Sequence, residues 1–266
     1  MTTTKTQKEL AFLRELEVDA EWTERFTDFV DKSLEFSDEE NILYLNAGTG
    51  NHAIALREKL DKDSKLSAVV ENEDLLNIAR DKAAAVKADI NFSVAPFENE
   101  SFDAVLADAS FVRLPELPKI FKEAAAVAKP DGKVIIFTAS AGSFGEIFSY
   151  LWEIFFNDDL GEHGAEAERL INDLPTVSKL EEIAGAAGLK NIEAQTSSEI
   201  FEYENGAEFV NSPLAADFLL SVWLKCLDEK QKEQVLKELA QLIDAEDGSL
   251  SFRFSVKATL ITGEKS

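Results

Sequence analysis

Two glycines separated by one residue form the part of this chain best suited to binding a ligand. Gly48 and Gly50 follow the apolar run 42–45 and precede a segment with helical spacing. In the order strand, glycine turn, helix, the glycines let the backbone approach a ligand closely, and the unpaired N–H groups of the first helical turn face it. A turn with two glycines also occurs without any ligand, so the surrounding elements must decide its role.

Short apolar runs alternate with helical patterns through the next hundred residues. Strands are predicted at 42–45, 66–70, 90–94, 104–107 and 133–137, helices at 52–60, 73–86 and 117–128, and a turn at 130–132. This alternation predicts an α/β fold with a parallel, doubly wound, Rossmann-like sheet. Ligands of such sheets bind beyond the carboxyl ends of the strands, where Asp108 falls.

The flanking segments predict further helices and two long strands. In residues 6–36, one predicted helical face carries Leu10, Leu13 and Leu16, and another carries Trp22, Phe26, Phe29 and Val30. Beyond residue 140, helices are predicted at 143–156, 177–187 and 213–245, strands at 189–203 and 251–262, and a mobile loop at 158–162. The aromatic residues of 144–156 either line an apolar substrate pocket or form packed core, and we favour the core.

Composition excludes several classes of partner. The formal charge of −24 repels phosphate backbones, which argues against nucleic acid and anionic membrane surfaces as partners. No run approaches the roughly 20 apolar residues that a membrane span requires. The N-terminal residues lack the apolar core of a signal peptide, and the single cysteine, Cys226, fits a reducing compartment. With two histidines and no Cys/His cluster, we predict a cytoplasmic protein without a metal site.

Four blocks in order resemble the class I S-adenosylmethionine-dependent methyltransferases. They are ILYLNAGTG at 42–50, EDLLNIAR at 73–80, ESFDAVLA at 100–107 and AVAKPDGKV at 126–134. Their order and spacing are more specific than any single block. The resemblance implies a seven-stranded, mostly parallel sheet whose last strand, 251–262, is antiparallel. It also implies methyl transfer to a small molecule, for which an apolar acceptor is one alternative.

The resemblance divides the chain and assigns candidate cofactor residues. The divisions are an N-terminal helical cap (1–37), a nucleotide-binding core (38–140), an aromatic-rich helical insertion (141–176) and a C-terminal part with a long inserted helix that completes the sheet (177–266). S-adenosylmethionine would be held by Asn46, Ala47, Gly48 and Gly50 of the turn, by Glu71 at the ribose and by Asp108. Glu71 could equally be a solvated strand-end carboxylate, and Asp108 a helix or turn cap.

The chain departs from the family pattern around the cofactor. Tyr44 stands where the first strand usually carries an acidic residue, and Asn46 replaces the first glycine of the turn. Val70 occupies the usual place of the ribose-binding acid, with Glu71 one residue later. The acidic residue that often follows the third strand is missing from 93–97. These changes support an alternative: a degenerate methyltransferase fold that acts as a binding or scaffold protein.

Catalytic residues are not evident, and methyl transfer requires few of them. An in-line displacement needs alignment of the reactants and exclusion of water, with a base only when the acceptor must lose a proton. His163 is a weak candidate for that base. Asp108, also a weak catalytic candidate, could orient a substrate or face the positive charge of the sulfonium, and His52 is expected to be an exposed helical residue. A nicotinamide dehydrogenase is a weaker hypothesis, because the three-glycine fingerprint is missing. The sequence indicates no oligomeric state.

Overall fold

A computed structural model describes residues 5–34, 36, 41–157, 160–247 and 251–266. Its centre is a seven-stranded sheet in the order β3-β2-β1-β4-β5-β7-β6. The strands are β1 Asn41–Leu45, β2 Lys65–Val69, β3 Asn91–Ser93, β4 Phe102–Asp108, β5 Ala128–Ser140, β6 Leu189–Tyr203 and β7 Phe252–Lys265.

Eleven α-helices are present in the described ranges, and π-helical and 3₁₀ segments join some of them. The α-helices are α1 Gln7–Leu13, α2 Glu24–Ser33, α3 Asn51–Lys59, α4 Glu73–Val86, α5 Leu117–Val127, α6 Gly145–Asn157, α7 Gly164–Asn172, α8 Val177–Ala186, α9 Gly206–Asn211, α10 Ser221–Trp223 and α11 Glu229–Asp247. Two π-helical segments, Arg14–Thr23 and Leu214–Leu220, and the 3₁₀ turn Gly161–His163 lie between them.

The predicted fold class is confirmed: the sheet is mostly parallel with one antiparallel strand. Strands β1 to β5 pair in parallel. The last strand, β7, is antiparallel to β5. The Lys265 side chain near the end of β7 donates to the carbonyl of Ala128 at the start of β5 at 3.0 Å. Near the opposite end of β5, Ser140 donates to the carbonyl of Lys257.

Two predicted element bounds, those of a turn and of a long helix, differ from the structure. Residues 130–132, predicted as a turn before the fifth strand, lie inside β5, and Asp131 has a φ of +61° there. The single helix predicted over 213–245 is instead a π-helical segment and α10, followed after a break by α11. The Pro-Asp-Gly sequence at 130–132 instead lies at an irregularity of the strand, where the register of β5 on β4 shifts. Apolar residues continue through 224–227, so the pattern does not show the break before α11. Of the predicted loop 158–162, residues 158–159 lie outside the described residues.

The chain divides into two compact units. Unit 1 comprises residues 1–138, 177–196 and 258–266, and unit 2 comprises 139–176 and 197–257. In unit 1, β4 is buried along most of its length, with α5 and α8 packed on one face of the sheet. None of the helices in the described ranges has both the length and the apolar character to cross a bilayer. The four-part division and the cytoplasmic location remain predictions.

Unit 2 has an aromatic core of its own. Trp223 contacts Phe144 and Phe148 at centroid distances of 5.0 and 4.9 Å, and Phe201 stacks on Phe254 at 4.9 Å. Phe155 is buried as well, so the packed-core interpretation describes most of the aromatic run. Trp152 and Phe156 are exceptions, at 43% and 80% exposed.

Candidate functional site

The glycine turn joins β1 to α3 through a series of left-handed residues. Asn46, Gly48 and Gly50 have φ values of +55°, +57° and +84°. Asparagine adopts this region more readily than most residues, so the turn survives without its first glycine. The N–H of Ala47 donates to the carbonyl of Val69 at 2.9 Å, which holds the turn beside the end of β2. The backbone of the predicted nucleotide turn is therefore present.

Each glycine of the turn faces a close neighbour. A Cβ on Gly50 would lie 3.0 Å from both the side chain of Ala79 and the ring of Phe92, so this glycine allows α4 and β3 to approach. A Cβ on Gly48 would lie 2.8 Å from Nη2 of Arg14. The open face at Gly48 is thus covered by the Arg14 side chain.

Asp108 and Asn46 join the ends of two adjacent strands. The Asn46 side-chain amide donates to the backbone carbonyl of Asp108 at 2.9 Å, and the N–H of Ser110 donates to the Asp108 carboxylate at 2.8 Å. Burial raises the pKa of Asp108 to about 6, although Arg14 and the hydrogen bonds from Ser110 oppose the increase. Asp108 therefore carries a buried carboxyl that titrates near neutrality at the carboxyl edge of the sheet.

Arg14 is the centre of charge in this site. Its Nη1 donates to Oε1 of Glu71 at 2.5 Å, and its guanidinium lies 5.8 Å from the ring centroid of Phe111. Burial alone would lower the pKa of Arg14, but the carboxylates of Glu71, Asp108 and Asp19 outweigh that effect and raise it. The predicted ribose ligand, Glu71, therefore already has a charged partner, and its side chain is 32% exposed.

Asp19 attaches the N-terminal helices to the turn. Its carboxylate accepts hydrogen bonds from the Thr49 hydroxyl, from the Asn51 amide at 3.1 Å and from the Thr23 hydroxyl at 3.0 Å. Burial raises the pKa of Asp19, and the hydrogen bonds oppose that increase. Nearby, Lys82 of α4 binds Glu15 at 2.5 Å and Thr49 at 3.2 Å.

Sequence reasoning missed this set of contacts because it assumed an α-helical phase. Arg14 and Asp19 are five residues apart, which places them about 140° apart around an α-helix. The segment Arg14–Thr23 is π-helical, and in that geometry residues five apart lie on one face. The same change of phase makes Leu16 69% exposed, contrary to its predicted place on an apolar face.

Tyr44 and His52 form a buried relay behind the turn. The Tyr44 hydroxyl lies 3.0 Å from Nδ1 of His52, and Nε2 of His52 lies 3.3 Å from Asp31. The prediction that His52 is exposed is wrong: its side chain is buried between Tyr44 of β1 and Asp31 of α2. Burial of Asp31 opposes ionisation, yet the hydrogen bonds from His52 and Lys59 lower its pKa to about 2.

The structure brings the predicted cofactor residues together at one edge. Asn46, Ala47, Gly48 and Gly50 lie in the turn after β1. Glu71 lies two residues after β2 and Asp108 ends β4, and these two strands flank β1 on either side. His163 belongs to unit 2, at the end of a 3₁₀ turn. Within the described ranges, no three His, Cys, Asp or Glu side chains are grouped as metal ligands.

Comparison with known proteins finds similarity to methyltransferases. Residues 43–136 match the methyltransferase domain family. A demethylmenaquinone methyltransferase of Lactococcus lactis is 28% identical over 171 residues, which cover 58% of this chain and 68% of the relative. Across the curated relatives that it matches, the chain spans from 42% to 69% of their length.

Solved structures share the fold. YcgJ of Bacillus subtilis superposes with a TM-score of 0.58 at 17% identity, covering 91% of this chain and 98% of that chain. Phosphoethanolamine N-methyltransferase 2 of Haemonchus contortus, solved with phosphomonomethylethanolamine and S-adenosylhomocysteine, has a TM-score of 0.56 at 14% identity, covering 98% and 59%. These findings confirm the resemblance to class I S-adenosylmethionine-dependent methyltransferases, with the methyltransferase domain at 43–136. They also support the predicted cofactor, S-adenosylmethionine.

The relay behind the turn predicts a coupled effect on stability. Tyr44→Phe leaves the buried Nδ1 of His52 without this partner, and we expect the free energy of unfolding to fall by about 1–3 kcal/mol. Urea denaturation measures the loss. In a His52→Leu background the hydroxyl has no imidazole to contact, so Tyr44→Phe should cost less there. Equal losses in both backgrounds would contradict the coupling.

Asp108 predicts a dependence of stability on pH. Because its pKa is about 6 in the fold and about 3.9 in an unfolded chain, the folded state binds more protons between these values. The contribution of Asp108 to stability is therefore fully present below about pH 4 and is lost as the pH rises through 6. Relative to the natural chain, Asp108→Asn should gain on the order of 2–3 kcal/mol from pH 4 to pH 7. Denaturant titrations across this range check the prediction, and a constant difference would refute it.

Proposed function

We propose that this chain transfers a methyl group from S-adenosylmethionine to a small molecule. The observation that carries the proposal is the grouping of the glycine turn, Glu71 and Asp108 at the ends of the adjacent strands β1, β2 and β4. The methyltransferase domain match covers all three strands. Ligands of doubly wound sheets bind at this edge.

The residues present fit the cofactor. Gly48 places no Cβ beside the N-terminus of α3, and among the described residues no side-chain hydrogen bond caps that N-terminus. The Glu71 carboxylate would accept both ribose hydroxyls, and the turn would hold the amino acid part of the cofactor. S-adenosylmethionine supplies a methyl group on a cationic sulfonium. The carboxylates of Asp19, Glu71 and Asp108 favour a cation at this edge.

The protein's own part in the reaction is alignment and exclusion of water. Side chains of the segment Arg14–Thr23 cover the turn, and Trp22 of this segment stacks on Phe111 at 5.1 Å and donates to Ser110 at 3.0 Å. Near pH 7 a carboxyl with a pKa of about 6 is mostly ionised, so Asp108 can accept a proton from an acceptor or orient it. The relative that acts on demethylmenaquinone, by its name, supports an apolar acceptor.

The scaffold alternative has one observation in its favour. Arg14 covers Gly48 and pairs with Glu71, so the chain fills part of the cradle with its own side chain. Tyr44 does not fill it, because its hydroxyl is engaged by His52. Calorimetric titration separates the two functions, since a scaffold would give neither heat nor a thermal shift at millimolar S-adenosylhomocysteine.

The ribose assignment predicts the effect of one substitution. Glu71→Gln removes the charge that strengthens hydrogen bonds to the ribose hydroxyls, so the affinity for S-adenosylhomocysteine should fall by about tenfold. Isothermal titration calorimetry gives the dissociation constants. The matched control is Glu73→Gln, which removes the same charge from an exposed residue in the first turn of α4. Equal weakening in both variants would count against Glu71 as the ribose ligand.

A further inference from the structure

The contacts of Arg14 place it where a ligand of the turn would lie. Its guanidinium covers the open face of Gly48, and its Nη1 pairs with the carboxylate assigned to the ribose. The guanidinium occupies Oε1, one of the two Glu71 oxygens through which the carboxylate would hold both ribose hydroxyls. The Arg14 side chain is only 11% exposed, so it lies in the cradle and not in solvent.

The Arg14 side chain is incompletely satisfied in this position. Its Nε is buried and makes no hydrogen bond within the described residues, and the nearest carboxylate oxygen, on Asp19, is 3.8 Å away. A buried donor without an acceptor weakens the state that contains it. The closed arrangement is therefore one that a better-fitting ligand can displace.

Side chains of the same segment attach it to the turn and to α4. Asp19 binds Thr49 and Asn51, and Glu15 binds Lys82 of α4. Because Val18 and Trp22 are buried, the backbone of the segment stays anchored, and the Arg14 side chain is the part that would leave the turn.

We propose that residues 7–23 form an autoinhibitory strap, in which Arg14 stands in for the cationic cofactor and competes with it for Glu71. The proposal rests on the proposed function, because the competing ligand is the cofactor of methyl transfer. In the closed state the cation of Arg14 offsets part of the negative charge of Glu71, Asp108 and Asp19. The cofactor binds the fraction of molecules in which Arg14 has left, so its apparent affinity is lowered by that fraction.

The test uses the full chain with S-adenosylhomocysteine as the probe. Arg14→Gln should bind the probe about tenfold more tightly than the natural chain and associate faster, because the closed state loses its cation. Arg57→Gln is the matched control, since Arg57 donates to the carbonyl of Asp61 at the end of α3. Glu15→Gln, which removes the charge that pairs with Lys82 of α4 and so loosens the strap at a second point, should also tighten binding. Hydrogen exchange without ligand should be faster in residues 7–23 of both strap variants than in the control.

A double substitution tests the competition at Glu71 directly. In the natural chain, Glu71→Gln removes a partner of the ribose and of Arg14 together, so the roughly tenfold loss expected there is the net of two opposing effects. In the Arg14→Gln background only the ribose contact remains, and Glu71→Gln should weaken binding by more than about tenfold there. Equal effects in the two backgrounds would overturn the competition.

The remaining outcomes separate the strap from the proposed function. Unchanged or weaker binding by Arg14→Gln, while the natural chain binds the probe, overturns the strap and leaves the cofactor assignment standing. Absence of binding by the natural chain and every variant overturns the proposed function and the competition with it. The proposal is supported if both strap variants bind the probe more tightly and exchange hydrogen faster, while Arg57→Gln changes neither binding nor exchange.

Discussion

Burial of carboxylates beside one glycine turn is the constraint on which this structure depends. Asp19 and Asp108 lie in the protein interior and Glu71 is largely covered, while Arg14 supplies a cation among them. An isolated buried carboxylate is costly, so these groups must be hydrogen-bonded, paired or protonated. At Asp108 the hydrogen bonds and Arg14 do not fully compensate for burial, so its pKa is raised. The N-terminal segment supplies the cation for this pairing, since it carries Arg14 to the turn together with Asp19.

The polar relay behind the turn shows how a different set of residues supports the same backbone. Where the family usually carries an acidic residue, Tyr44 places a hydroxyl against His52, and His52 in turn contacts Asp31. The ionised Asp31 also pairs with Lys59 at 2.5 Å. Buried polar groups of this kind are stable only when each has a partner. The departure at Tyr44 is thus accompanied by two further partners that are distant in sequence.

The regular elements were predictable because their signals are local. The helix at 73–86 begins after Asn72, whose side chain caps it, and it was predicted with its observed bounds. The strand at 189–203 was also predicted with its observed bounds. The segment Arg14–Thr23 was not predictable, because a π-helix differs from an α-helix by one residue per hydrogen-bonded ring and leaves no pattern of its own. Every inference about Arg14 depends on that difference.

The sequence by itself determined the doubly wound sheet, the glycine turn and the placement of Glu71 and Asp108 after their strands. These follow from apolar periodicity and turn chemistry, which act over a few residues. Only the tertiary structure decided what those carboxylates contact. Arg14 and Glu71 are 57 residues apart, and their pairing depends on the helical phase of one segment and the packing of another. Charge complementarity at that distance in sequence leaves no periodic signal, so it becomes visible only when the chain has folded.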